Sequence, residues 1–230
     1  MKIKYLKYNI VAILLFISIV SYAQSIDSLF INMPDYINPV VNKPARNELL
    51  SLFKMKLNDS TLNKFGKKTE VIKYDSLDFL IAIKNTAVSS FEMKKFRLND
   101  GRELIGVIRS FGDSINSSNI TFYNTDWTVN TFKFEIPGAN QWLDQDLLKD
   151  SSLDIQWAKN QLLTSFISLS FTGIGLKIEA KNNTIKFLSD ETRKILKPYL
   201  SDKNITYEFV DNQWIKYMNS NTVKSVINNK

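Results

Sequence analysis

Apolar positions follow one period in the first quarter of the chain and another afterwards. Ile10–Val20 is an uncharged apolar run. Ile26–Asn38 carries Pro34 and turn-forming residues, which predicts an extended arm. Pro44 suits the first turn of a helix. Leu49, Leu52, Phe53 and Leu57 then recur at helical spacing, with Arg46, Lys54 and Lys56 off that stripe, and predict a helix over 44–57.

From Lys68 the period becomes two. Ile72 and Tyr74 alternate with Glu70 and Lys73, and Phe79, Ile81 and Ile83 follow a turn at Asp75-Ser76. Phe91 and Met93 are out of phase with Phe96 and Leu98, which predicts a β-bulge at Lys94-Lys95. Asp100-Gly101 between two alternating runs predicts a two-residue hairpin turn. Further strands are expected around Leu104–Arg109, Ile120–Phe122, Phe132–Ile136, Ile167–Phe171, Ile174–Ile178, Ile185–Phe187 and Ile205–Phe209. Residues 139–161 lose the alternation and predict a short helix and loop. Asp190 is expected to cap a second short helix ending near Pro198, and Asp211-Asn212 to turn the last strand back through Trp214.

Clean alternation means one buried and one wet sheet face. The expected fold class is α+β: a long, curled antiparallel sheet, a half-barrel-like meander, covered by one N-terminal helix and one short C-terminal helix. Residues 24–218 form one domain and 219–230 a polar tail. Whether the 44–57 helix plugs the concave face or roofs a pocket decides between a filled core and a cavity.

The opening residues change where such a domain would work. Lys2, Lys4 and Lys7 precede the apolar run, and Ser21-Tyr22-Ala23 follows it. This is the layout of a secretory leader cleaved after Ala23. The run is shorter than the ~20 residues a spanning helix needs, so no integral membrane segment is expected after cleavage. Export to the periplasm or cell exterior follows, without a cysteine for lipid attachment. The whole chain has 30 basic and 23 acidic side chains; without residues 1–23 the net charge falls to +4, with no run of five basic residues. Nucleic-acid binding is not expected on that pattern.

The chain contains no His and no Cys. That excludes Ser-His-Asp and Cys-His catalysis, zinc sites built on His or Cys, haem ligation by these residues, and iron–sulfur clusters. No cofactor is expected. Carboxylate chemistry, a Lys or Tyr base, or an oxygen-ligated metal would remain for an enzyme.

The segments NMPDYINPVV (32–41), RNELLSLF (46–53), FRLNDGRELIGVI (96–108) and NITFYNTDW (119–127) stand in the order found in an uncharacterised family of exported bacteroidete proteins. The stretch 169–200 resembles that family's second half. The resemblance implies export and no known activity, so no site residue is carried over from it. Tyr36 and Ile37 stand where the family has Ser-Leu.

Several local constellations have a chemical and a plain reading. Asp144, Asp146, Asp150 and Asp154 suggest calcium, but lack the glycine and terminal glutamate of an EF-hand and read as a solvated loop. Ser51 and Lys54 form S-x-x-K without the partner motifs of penicillin-binding enzymes. Trp127, Trp142, Trp157 and Trp214 could stack on sugars and more often fill cores. Asp-Ser recurs at Ser28, Ser60, Ser76 and Ser114, which resembles the O-glycosylation acceptor of exported bacteroidete proteins and is also ordinary turn chemistry.

The expected function is a non-catalytic envelope module that binds a protein, glycan or lipid partner. The alternative is a carrier of an amphiphile in an apolar cavity under the N-terminal helix, with Leu49, Leu52, Phe53 and Trp127 as candidate ligand-facing residues. An acid-based hydrolase is the third reading, with no carboxylate pair singled out.

Overall fold

A computed structural model describes residues 24–218 and 225–226. Helix α1 (Ile26–Asn32) and helix α2 (Lys43–Lys54) precede a six-stranded antiparallel meander. Its strands are β1 (Ser60–Leu62), β2 (Lys68–Asp75), β3 (Leu80–Thr86), β4 (Ser89–Arg97), β5 (Glu103–Phe111) and β6 (Ser117–Asn124), hydrogen-bonded in that order. Helices α3 (Gln145–Lys149) and α4 (Ile155–Gln161) follow, then β7 (Ile167–Phe171) and β8 (Lys177–Asn182). Helix α5 (Asp190–Leu196), β9 (Ile205–Val210) and β10 (Gln213–Met218) come next, and the two-residue β11 (Ser225–Val226) pairs with β10. Strands β7–β11 form a second antiparallel sheet. The leader predicted over 1–23 lies outside the described residues, as does the polar tail apart from β11.

The α+β class with antiparallel meanders stands, and the strands divide into two sheets with no closed barrel. The first sheet buries both faces. Ile81, Ile83, Phe91, Met93, Ile105 and Val107 face a core built with α1 and α2. On the other face Leu80, Phe96, Leu104, Ile108 and Phe122 join Leu169, Phe171, Ile178 and Tyr207 of the second sheet. The sheets approach closely: a Cβ on Gly106 would lie 2.6 Å from Cζ of Phe171.

Two-sided burial explains the phase slip in β4. The predicted bulge at Lys94-Lys95 is absent; pairing with β5 runs unbroken from Ser89↔Phe111 to Arg97↔Glu103. Phe91 and Met93 meet the helices, whereas Phe96 and Leu98 meet the second core. The irregularities fall between Val71 and Lys73 and between Lys84 and Thr86.

Other elements also differ from expectation. The arm over 26–38 begins as helix α1, where Ser25 Oγ accepts from the Ser28 amide at 3.2 Å. Helix α2 ends three residues before Leu57, and Asn42 caps it through the Ala45 amide. The Asp100-Gly101 turn is a three-residue loop: Leu98 N–H donates to Arg102 O at 2.8 Å, with Gly101 at φ 88°. Residues 132–136 form no strand. Phe132 and Phe134 instead wedge among Phe122, Tyr207, Phe209 and Trp214, so their alternation reflects packing without a ladder. Thr184–Lys186 is a single 3₁₀ turn rather than a strand, and Ser189, not Asp190, caps α5.

Candidate functional site

Arg46 binds the chain before α2 to the helix. Its side chain is fully buried, and Nη1 donates to Asp35 Oδ1 at 2.9 Å and to Val41 O at 2.7 Å. Nη2 donates to Ile31 O at 3.2 Å and to Met33 O. Burial pushes the guanidinium pKa down and the Asp35 bond opposes that. The Met-Pro-Asp segment and the arginine of α2 are thus two halves of one clamp, which satisfies three carbonyls at the end of α1 and in the connection to α2.

The end of α2 borders an open groove. Lys56 N–H donates to Phe53 O and Leu57 N–H to Leu52 O, both at 3.0 Å. This is a Schellman termination, with Lys56 at φ 55° in the left-handed position that favours glycine. Next to it, Lys54 Nζ pairs with Asp27 of α1, and Tyr74 of β2 donates to Asp27 Oδ1 at 2.8 Å. Its bond to Asp27 raises the Lys54 pKa; burial, then the separate bond from its hydroxyl to Asp27, raises that of Tyr74. The Phe53 and Tyr74 rings stand 5.7 Å apart. Phe53 and Tyr74 floor a groove of about 640 Å³, edged by Lys54, Lys56, Leu57, Asn58 and Asp59.

The structure brings only one of the four candidate ligand-facing residues to this groove. Phe53 lines it. Leu52 is half-buried beside it, while Leu49 and Trp127 lie inside the helix-side core, Trp127 against Tyr123. Trp142 and Trp214 are buried, their indoles donating to Lys203 O and Lys133 O, and Trp157 packs on the same core. Asp144 and Asp154 cap α3 and α4, and Asp146 pairs with Lys149. Ser51 stands on α2 one turn from Lys54, whose ammonium is directed to Asp27. Among the Asp-Ser sites, Ser76 and Ser114 are exposed on turns, Ser28 is half-buried on α1, and Ser60 is buried with Oγ donating to Asn58 at 3.0 Å.

A charged seam joins the two sheets. Glu92 of β4 accepts from the Phe171 amide at 3.1 Å. Lys94 Nζ donates to Asp78 Oδ2 and to Gly173 O, both at 2.6 Å, and Lys73 Nζ reaches Phe171 O at 3.5 Å. Burial lifts the Glu92 carboxyl to about 7, against the pull of the Phe171 amide and the two lysines. A carboxyl poised near neutrality is a recurrent mark of catalytic sites, but here it holds a strand end and fronts neither groove. A second groove, of about 490 Å³, lies between Lys181, Ile185, Lys197 and Leu200.

Two features were missed by pattern reading. Tyr74 reads only as an alternating strand residue; nothing local links it to Asp27, 47 positions away. The stretch 54–68 holds five lysines and one acid among exposed apolar residues, a signal that a search for unbroken basic runs passes over.

Among the described residues no helix is long and apolar enough to cross a membrane. No curated protein matches the chain at a significant level. A solved domain of an uncharacterized protein from Porphyromonas gingivalis W83 has a similar fold: TM-score 0.66 at 18% identity, over 82% of this chain and 97% of that one. A family of proteins of unknown function, DUF3256, matches residues 18–214, and with that match over most of its length the chain belongs to this family.

Proposed function

We propose that the protein is an exported, non-catalytic binding module that engages its partner where α2 ends. The observation that carries this is the groove at Phe53, Leu57 and Tyr74, an apolar floor with a charged rim and of a size that suits ligand or side-chain capture. Its rim is built for exposure rather than for stability. Lys56 occupies a left-handed position that glycine would take with less strain, and Leu57 follows it outward into solvent. Export is supported by the leader-like layout of residues 1–23.

The carrier reading moves from beneath the helix to the same groove. Leu49 and Leu50 fill the underside of α2 against Ile81, Phe91 and Met93, so an acyl chain would lie along Phe53 and Tyr74 instead.

A photo-reactive residue at Leu57 tests the module, with one at Leu163, exposed between α4 and β7, as the control. Both proteins are irradiated in the envelope fraction of the cells that make them. A defined adduct at Leu57 alone is expected. No adduct, or the same adducts at both positions, refutes the reading.

A further inference from the structure

Residues 54–68 run from the last turn of α2, through the outer strand β1, to the first residue of β2. Lys54, Lys56, Lys64, Lys67 and Lys68 stand in this stretch against the single acid Asp59. Between them Met55, Leu57, Leu62 and Phe65 are 67, 70, 64 and 64% exposed. Lys54 and Lys68 have carboxylate partners in Asp27 and Glu70. Lys56, Lys64 and Lys67 form no ion pair among the described residues; Lys64 instead lies 5.3 Å over the Phe65 ring. Phe65 sits at the tip of the β1–β2 connection, where Gly66 N–H closes a turn on Asn63 O. Apolar side chains this exposed, gathered in one short stretch of chain, normally mark an interaction surface.

We infer that this edge docks on an anionic lipid bilayer. The inference rests on the binding-module reading and names its partner as a membrane surface. Charge selects the partner's sign: once Lys54 and Lys68 are set against Asp27 and Glu70, three ammonium groups without ion pairs remain against the single carboxylate Asp59. Composition selects its kind. The cores of protein interfaces are depleted in lysine, whereas interleaved lysines and apolar residues suit the headgroup boundary. There aliphatic and aromatic groups enter the acyl edge, and ammonium groups on flexible stems reach phosphates. Phe65 and Leu62 at the hairpin, with Leu57 at the helix end, supply the insertion; Lys56, Lys64 and Lys67 supply the electrostatic attraction.

The test is co-flotation of the full protein, isolated from the cells that make it, with phosphatidylcholine vesicles containing or lacking phosphatidylglycerol. Binding to the anionic vesicles alone, weakened by salt, is expected. The triple variant Lys56→Ser, Lys64→Ser, Lys67→Ser should bind at least tenfold more weakly, given the attraction of each lysine to an anionic surface. Phe65→Ser should weaken binding without changing its salt dependence. The control triple Lys181→Ser, Lys194→Ser, Lys197→Ser removes the same charge elsewhere and should bind as the parent does; unchanged melting temperatures show that each variant is folded. Binding that ignores phosphatidylglycerol, equal losses in both triples, or no binding at all overturns the inference. A Leu57 adduct in the envelope fraction alongside failed flotation would overturn the bilayer and leave the binding module standing.

Discussion

Replacing Glu92 by Gln isolates the cost of ionising a carboxyl between the two sheets. Gln keeps the acceptor for the Phe171 amide, so the geometry of the seam is retained. In the folded protein burial raises the carboxyl from an ordinary 4.5 to about 7. The fold therefore holds a proton that the unfolded chain gives up, and stability falls as pH rises through that interval. The contribution is complete below about pH 4.5, declines up to about pH 7 and is constant above it. At ~1.4 kcal/mol per unit, the shift corresponds to about 3 kcal/mol. Lys73 and Lys94 already act on that folded value, so their attraction needs no separate addition. Glu92→Gln should match the parent near pH 4 and exceed its stability by about 3 kcal/mol near pH 8. Urea denaturation of both proteins across that range gives the difference directly. A difference independent of pH, or a variant less stable than the parent at pH 8, would refute the reasoning.

The clamp, the close sheet approach and the helix end yield further expectations. Arg46→Met leaves the carbonyls of Ile31, Met33 and Val41 buried without donors and should lose at least about 3 kcal/mol in urea denaturation; a loss under about 1 kcal/mol would deny the clamp its role. Gly106→Ala drives a methyl into the Phe171 ring and should lose about 1–3 kcal/mol, partly recovered with Phe171→Leu in a double-mutant cycle. Lys56→Gly relieves a left-handed lysine and should raise stability by about 1 kcal/mol in the same denaturation assay while weakening vesicle binding. O-linked glycan, where present, should map by peptide mass spectrometry to Ser76 or Ser114, whose turns are open; a glycan on Ser60 of the folded protein would contradict its burial.

The elements that the sequence determined by itself are those whose signal is local. Helix α2 follows from Pro44 and an apolar stripe. The strands β2–β6 follow from alternation, and the β9–β10 turn from Asp211 and Asn212, both of which adopt positive φ. Helix α1 was also encoded, in Ile26, Leu29 and Phe30, but seven residues before a proline give periodicity too little length to stand out. The absence of His and Cys bounded the chemistry before any fold was known.

Tertiary structure decided the rest. Alternation states which side of a strand is apolar, not which strands share a ladder, so two sheets read as one. It also presumes one wet face; β4 buries both, and the second face appeared as a bulge that does not exist. The groove and the seam depend on partners far apart in the chain: Tyr74 and Asp27 are 47 residues apart, Phe171 and Glu92 79. Such pairings are set by how the layers stack, and stacking follows from the burial of the whole apolar surface rather than from any one segment's pattern.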